Sequence, residues 1–268
     1  MIEPVVDAAW VRANHDRVVL ADVRAYLDGR RGRDAYDRGH LPGAIFVDLD
    51  ADLAAPPTAA DGRHPLPDPG HFAGRMSALG VGDGQTVIAY DDAGGVMAAR
   101  LVWMLRALGE DAALLDGGLD AYGDERETAV PRRPRAAFTP RPWPAHRLAG
   151  LADATSGALV VLDARQPERF RGESEPIDPR AGHIPGARNV PCRENVDATG
   201  RFRPAGELRE RFEAAGVTDG ADVVSYCGSG VTACHNLLAL ERAGFAPGRL
   251  YPGSWSQYSA TELPAELS

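Results

Sequence analysis

The chain states most of its segments twice, and that constrains its fold more than any other feature. VVLADVR at 18–24 returns as LVVLDAR at 159–165, and GHLPGAIFV at 39–47 returns as GHIPGARNV at 182–190. TVIAYDDAGGVMAARLVWMLRALG at 86–109 is matched by DVVSYCGSGVTACHNLLALERAGF at 222–245, and DGGLDAY at 116–122 by PGSWSQY at 252–258. The order is the same in both series, and the register barely drifts. Tyr90 and Tyr226 are 136 residues apart, as are Tyr122 and Tyr258, while Asp22 and Asp163 are 141 apart. A unit this large that occurs only twice is a duplicated domain and not a solenoid repeat. The total of 268 residues agrees, being the length of roughly two ordinary domains.

Within each copy, short β-rich apolar runs alternate with helical stretches. VVL, AIFV, TVIAY and ALLD are strand-like in the first copy; LVVL, ARNV, DVVSY and the run at 249–251 hold those places in the second. Helices are expected over 70–80, 95–109, 204–215 and 231–243. Such alternation predicts an α/β fold, with a mainly parallel sheet in each copy and helices on both faces. Active loops are then expected beyond the C-terminal ends of the strands. Between the copies lies PRRPRAAFTPRPWPAHR, with five Pro and five Arg, which opposes regular structure and reads as an extended linker. The expected division is an unarmed domain at 1–130, this linker at 131–147 and a catalytic domain at 148–268.

Composition narrows the chemistry. All 29 basic residues are Arg, which removes a Schiff-base lysine, a pyridoxal anchor and the lysine of a Walker A loop. The net charge of -9 argues against a broad nucleic-acid footprint. No run of apolar residues is long enough to span a bilayer, and MIEPVVDAAW does not read as a secretory signal. Three widely spaced Cys make no disulfide framework, so a reducing cytoplasm is expected. A monomer without membrane or nucleic-acid partners is a separate expectation. No Cys/His group has ligand spacing, and neither a metal nor a cofactor is expected.

The strongest local signal is the second copy's strand–loop–helix. A β-branched strand ends at Tyr226, and Cys227, Gly228, Ser229, Gly230, Val231 and Thr232 then lead into a helix. The two glycines let successive N–H groups converge, and with the helix N-terminus these form an anion cradle. Such a cradle favours a thiolate at Cys227, and equally the terminal sulfur of a persulfide. The first copy has Asp91 at that place, so its loop is expected to be non-catalytic. A phosphatase or arsenate reductase would need an Arg where Ala233 stands. His235 and Cys234 lie on the helix and read as structural; Cys192 reads the same way, with a redox role as its alternative.

The tandem copies, the GHLPGA and GHIPGA segments and the CGSGVT loop together resemble the two-domain rhodanese-type sulfurtransferases, over nearly the whole chain. The resemblance implies two tandem rhodanese-like domains, the second forming a cysteine persulfide at Cys227. The neutral loop is similar to the branch that prefers 3-mercaptopyruvate over thiosulfate. It implies Arg169 and Arg180 as anchors of the donor carboxylate, with Arg171 able to replace either. Gly228, Gly230, Val231 and Thr232 complete the cradle, and Ser229 acts on the leaving group. A relay from His40 with Asp34 or Asp37 is a further expectation. The partners implied are a small sulfur donor and a thiol acceptor such as reduced thioredoxin. Thiosulfate:cyanide transfer is the alternative within the class, and a non-catalytic sulfur-carrier or regulatory binding module is the alternative outside it.

Overall fold

Runs such as VVLAD and TVIAY carry apolar side chains at consecutive positions, which suits strands covered on both faces. The computed structural model describes residues 1–267 and divides into two units. Unit 1 comprises Met1–Ala55, Pro67–Trp143 and Ala198–Phe202; unit 2 comprises Pro56–Leu66, Pro144–Asp197 and Arg203 onward.

Unit 1 holds strands β1 (Val5–Val6), β2 (Val18–Asp22), β3 (Ile45–Phe46), β4 (Thr86–Tyr90) and β5 (Ala112–Leu115), in the order β1-β5-β4-β2-β3. Unit 2 holds β6 (Val160–Asp163), β7 (Arg188–Asn189), β8 (Val223–Tyr226) and β9 (Arg249–Leu250), in the order β7-β6-β8-β9. Every pairing is parallel. Strand β1 was not anticipated from the pattern, since two residues are too few to show a period. Its counterpart in unit 2 is a single parallel bridge between Leu148 and Leu250.

The expected helices form over Pro69–Ala78, Ala99–Ala107, Ala205–Ala214 and Ala233–Arg242. The first starts sharply because Asp68 accepts the amides of Gly70 and His71 and Pro69 needs no N–H partner. Two of the helices begin later than their apolar pattern does, because residues 95–98 and 231–232 belong to the loops that precede them. The Pro/Arg-rich stretch forms no helix or strand before a short 3-10 turn at Ala145–Arg147. Its first part lies against unit 1: Ala136 donates to the Ser77 carbonyl, and the Phe138 and Trp143 rings pack on Phe72. The division between the units falls at residues 143 and 144.

The duplication extends to buried charge. Asp22 holds Arg24 at 2.7 Å, and Arg24 donates to the Gly39 carbonyl at 2.7 Å. Asp163, Arg165 and Gly182 repeat both contacts at the same distances. Ion pairs this buried are costly to open, at about 3–5 kcal/mol when one partner is removed. Among the described residues no helix is long and apolar enough to cross a membrane.

Candidate active site

Strand β8 delivers Cys227 to its C-terminal edge, and the chain then turns through Gly228, Ser229 and Gly230 before the helix at Ala233. Gly230 has φ +76°, and a β-carbon there would lie 2.6 Å from the Pro252 carbonyl oxygen, so only glycine fits. Cys227 is 2% exposed. Its amide donates to Ser254 Oγ at 3.1 Å, and its carbonyl accepts from the Trp255 amide at 2.9 Å. Ser254 pays for that contact with φ +51°, a left-handed conformation rare outside glycine. Its equivalent in the first copy is Gly118, at φ +60°. The carbonyl of buried Val231 accepts the Cys234 amide, while Thr232 precedes the helix without a side-chain capping bond and lies beside Cys192.

The segment 56–66 supplies what the second copy lacks. A reciprocal pair of backbone hydrogen bonds between Thr58 and Gly62 closes a tight loop, with Asp61 held by Thr58. Gly62 packs against Gly253 and Ser256, and the Arg63 amide donates to Ser256 Oγ at 3.1 Å. Ser256 in turn donates its own amide to the Gly228 carbonyl at 2.8 Å. This fastening puts His64 Nδ1 2.7 Å from Ser229 Oγ; the imidazole tautomer decides which group donates.

Arginines stand over the loop. A β-carbon on Gly228 would lie 2.9 Å from Arg63 Nη2 and 3.3 Å from Arg169 Nη1, so the absence of a side chain makes room for both. Arg169 reaches Glu175 at 2.6 Å and Asp178 at 3.3 Å, and Arg63 pairs with the other oxygen of Asp178. Glu175 also meets Arg165 at 3.3 Å. The result is an unbroken chain of charges: Asp163, Arg165, Glu175, Arg169, Asp178, Arg63. Burial pushes the Asp178 carboxyl above its ordinary range; Arg63 opposes the rise and Glu175 adds to it. Burial also raises the Cys192 thiol, to about 12, with Cys227 adding to the rise and Thr232 opposing it.

The other expected residues do different work. His40 is buried in unit 1, stacked on Tyr36 at 3.7 Å, with its ring nitrogens on the Tyr36 and Ala129 carbonyls. His183, its counterpart, stacks on Phe170 at 3.7 Å and meets the Phe170 carbonyl. The histidine of each GH-(Leu/Ile)-PGA segment is thus a structural pin, and His40 is not the relay. Asp34 and Asp37 are exposed partners of Arg31 and Arg33. Arg180 is corrected as well: all three guanidinium nitrogens donate to the carbonyls of Tyr258, Ser259 and Leu263, which fixes the C-terminal turn. Arg171 pairs with Glu173 at the surface. His235 is buried and accepts from Asn195, and Cys234 is buried against the Gly230 carbonyl.

Among the described residues no group of His, Cys, Asp and Glu is arranged to hold a metal ion. The arrangement can hold a nucleophilic sulfur, set a hydroxyl–imidazole pair beside it and present guanidinium to an anion. Comparison with known proteins shows the family of the chain. The model of the rhodanese-like domain matches residues 6–125 and again 147–261. The chain belongs to the rhodanese-like family.

Among curated rhodanese-like relatives, a Pseudomonas aeruginosa protein named "Probable 3-mercaptopyruvate sulfurtransferase" is 42% identical over 260 residues, covering 92% of this chain and 91% of the relative. A Mycobacterium tuberculosis protein named "Putative thiosulfate sulfurtransferase SseB" is 40% identical over 253 residues, covering 91% and 89%. The crystal structure of the 3-mercaptopyruvate sulfurtransferase SseA from Escherichia coli superposes with a TM-score of 0.82 at 32% identity, covering 95% of this chain and 99% of that one. This rhodanese-like chain is an enzyme of the sulfurtransferase class, taking sulfur from a donor and passing it to a thiol acceptor.

Sequence reasoning missed Arg63, His64, Glu175, Asp178 and Ser254. One signal was present: Gly39 and Gly182 are 143 residues apart but Tyr90 and Tyr226 only 136. The first copy therefore carries seven residues more between those landmarks, in the stretch that contains DGRHPLP.

Proposed function

We propose that the chain moves the sulfur of 3-mercaptopyruvate to a thiol through a Cys227 persulfide, and that unit 1 carries no chemistry of its own. The observation that carries this reading is the 2.7 Å contact between Ser229 and His64 beside the nucleophile. Thiosulfate releases sulfite, which leaves with its electron pair and needs no proton. 3-Mercaptopyruvate releases the enolate of pyruvate, which must be protonated, and a hydroxyl–imidazole pair can deliver that proton.

The steps balance without a cofactor. The Cys227 thiolate attacks the donor sulfur, an S–S bond forms, the donor C–S bond breaks, and its electron pair passes to the enolate. The donor's S–H proton passes to the Ser229–His64 pair, which delivers it to the enolate carbon and so completes pyruvate. The terminal persulfide sulfur rests among the loop amides as an anion. An acceptor thiolate then attacks that sulfur and regenerates the Cys227 thiolate. A dithiol such as reduced thioredoxin suits this step, and cyanide serves in an assay. The setting proposed is a monomer in a reducing cytoplasm.

Steady-state kinetics with both donors, together with intact mass after donor treatment, test the reading. The protein should gain one sulfur from 3-mercaptopyruvate, and Cys227→Ser should gain none. His64→Ala should lower kcat about 100-fold or more with 3-mercaptopyruvate and much less with thiosulfate. Equal losses with both donors would remove the argument for the donor, and turnover retained in Cys227→Ser would remove the mechanism.

A further inference from the structure

Arg63 ends the chain of six charges. Its Nη1 meets Asp178, its Nη2 lies at Gly228 next to the nucleophile, and its side chain is 29% exposed. Arg169 is 17% exposed, whereas Arg165, Asp163, Glu175 and Asp178 are all nearly buried. The two guanidiniums that a ligand can reach are therefore those flanking Gly228. The backbone of Arg63 is tied to Ser256, and Ser256 to Gly228, so the grip and the loop are held together.

The three arginines of the chain face three carboxylates, and the group is balanced in formal charge. A balanced group gives little general attraction to a compact dianion. It still offers directional N–H donors to a planar carboxylate, which guanidinium matches two bonds at a time. We propose that Arg63, together with Arg169, grips the carboxylate of a 2-oxo-acid sulfur donor. Arg63 is thus a specificity-determining residue. Asp178 is a positioning residue: its two oxygens splay the two guanidiniums, and its charge disfavours dianionic donors. This rests on the 3-mercaptopyruvate reading above and adds to it the side chains that recognise the acid.

The test is a comparison of kcat and KM for 3-mercaptopyruvate and thiosulfate, with cyanide as acceptor, in the wild type and in Arg63→Ala, Arg63→Lys and Asp178→Asn. Arg63→Ala should raise KM for 3-mercaptopyruvate about 10- to 100-fold and leave kcat within about threefold, the effect of losing a charged hydrogen-bonded contact. Arg63→Lys keeps the charge and loses the fork, so it should recover only part of that affinity. Asp178→Asn adds one net positive charge and should raise kcat/KM for thiosulfate relative to 3-mercaptopyruvate by about fivefold or more. Thiosulfate turnover and persulfide loading in each variant report whether the Cys227 loop has kept its structure.

Loss of both donors in equal proportion in Arg63→Ala would mark a merely structural residue and overturn the proposal. So would an unchanged KM for 3-mercaptopyruvate. A wild-type enzyme that takes no sulfur from 3-mercaptopyruvate would overturn the donor reading itself. Wild-type turnover with indifferent Arg63 variants would overturn only the present inference.

Discussion

The loops after β4 and β8 hold corresponding places in the two copies and begin with different residues, Asp91 and Cys227. After β4, Asp91 turns its carboxylate inward. One oxygen accepts the amides of Ala93 and Gly95 at 2.8 Å each, and the other those of Met97 and Ala98 at 2.8 and 3.0 Å. The cradle is filled by its own side chain. Burial pushes that carboxyl above its ordinary range, and the four amides pull it back. After β8 the corresponding residue is Cys227, whose shorter thiol carries no carboxylate into the turn. Both loops are fastened from behind in the same way: Leu119 donates to the Asp91 carbonyl and Trp255 to the Cys227 carbonyl, each at 2.9 Å. In the first loop the converging amides are thus satisfied by the loop's own first side chain, and the proposed persulfide of Cys227 would take the corresponding place in the second.

The hardest test of that comparison exchanges the contents. Cys227→Asp should place a carboxylate among the second loop's amides, abolish turnover by at least about a thousandfold and leave the thermal midpoint nearly unchanged. A large drop in the midpoint would mean that the second cradle cannot hold a carboxylate, and the two loops would not be equivalent. In the other direction, Asp91→Ala leaves buried amides without their acceptor and should cost about 3 kcal/mol in urea unfolding. A loss below about 1 kcal/mol would show that the carboxylate does not hold the first loop.

The fastening behind each loop gives a smaller contrast. Ser254 endures a left-handed backbone where Gly118 has no such penalty, and in return its hydroxyl holds the Cys227 amide. Ser254→Gly should therefore gain up to about 1 kcal/mol of stability and lose a few-fold in kcat. Faster turnover in that variant would mean that the hydroxyl does not serve the loop.

The smallest effect concerns Cys192, whose place in unit 1 is held by Leu49. Its folded thiol titrates near 12 against an ordinary value of 9.0. The folded state then keeps a proton that the unfolded state has released, so this group's contribution is fully present below pH 9 and fades as pH approaches 12. Cys192→Leu should flatten the decline of the urea midpoint between those limits. An unchanged slope would remove Cys192 as its source.

Much of this was legible in the sequence because it is local. The repeat gave the two sheets, β-branched runs gave their strands, and the glycines around Ser229 marked the turn that presents Cys227. The misassigned residues, by contrast, had neighbours that are distant along the chain. His40 was expected in a relay with Asp34 or Asp37, yet its ring is held by the carbonyls of Tyr36 and Ala129. Arg180 looked like an anchor by family resemblance, yet its donors go to carbonyls 78 to 83 residues away. His64 drew no notice, since no residue near it in sequence hints at Ser229, 165 positions on.

The sequence by itself determined the duplication, the parallel α/β architecture and the cysteine loop proposed to carry the nucleophile, all of which rest on residue type and short-range order. Tertiary structure alone decided which side chains surround that nucleophile. Segment 56–66, written in the first copy, folds into the unit that carries Cys227. Linear order records which residues are neighbours along the backbone, whereas hydrogen bonds and ion pairs depend on distance in space, which only the closed fold sets.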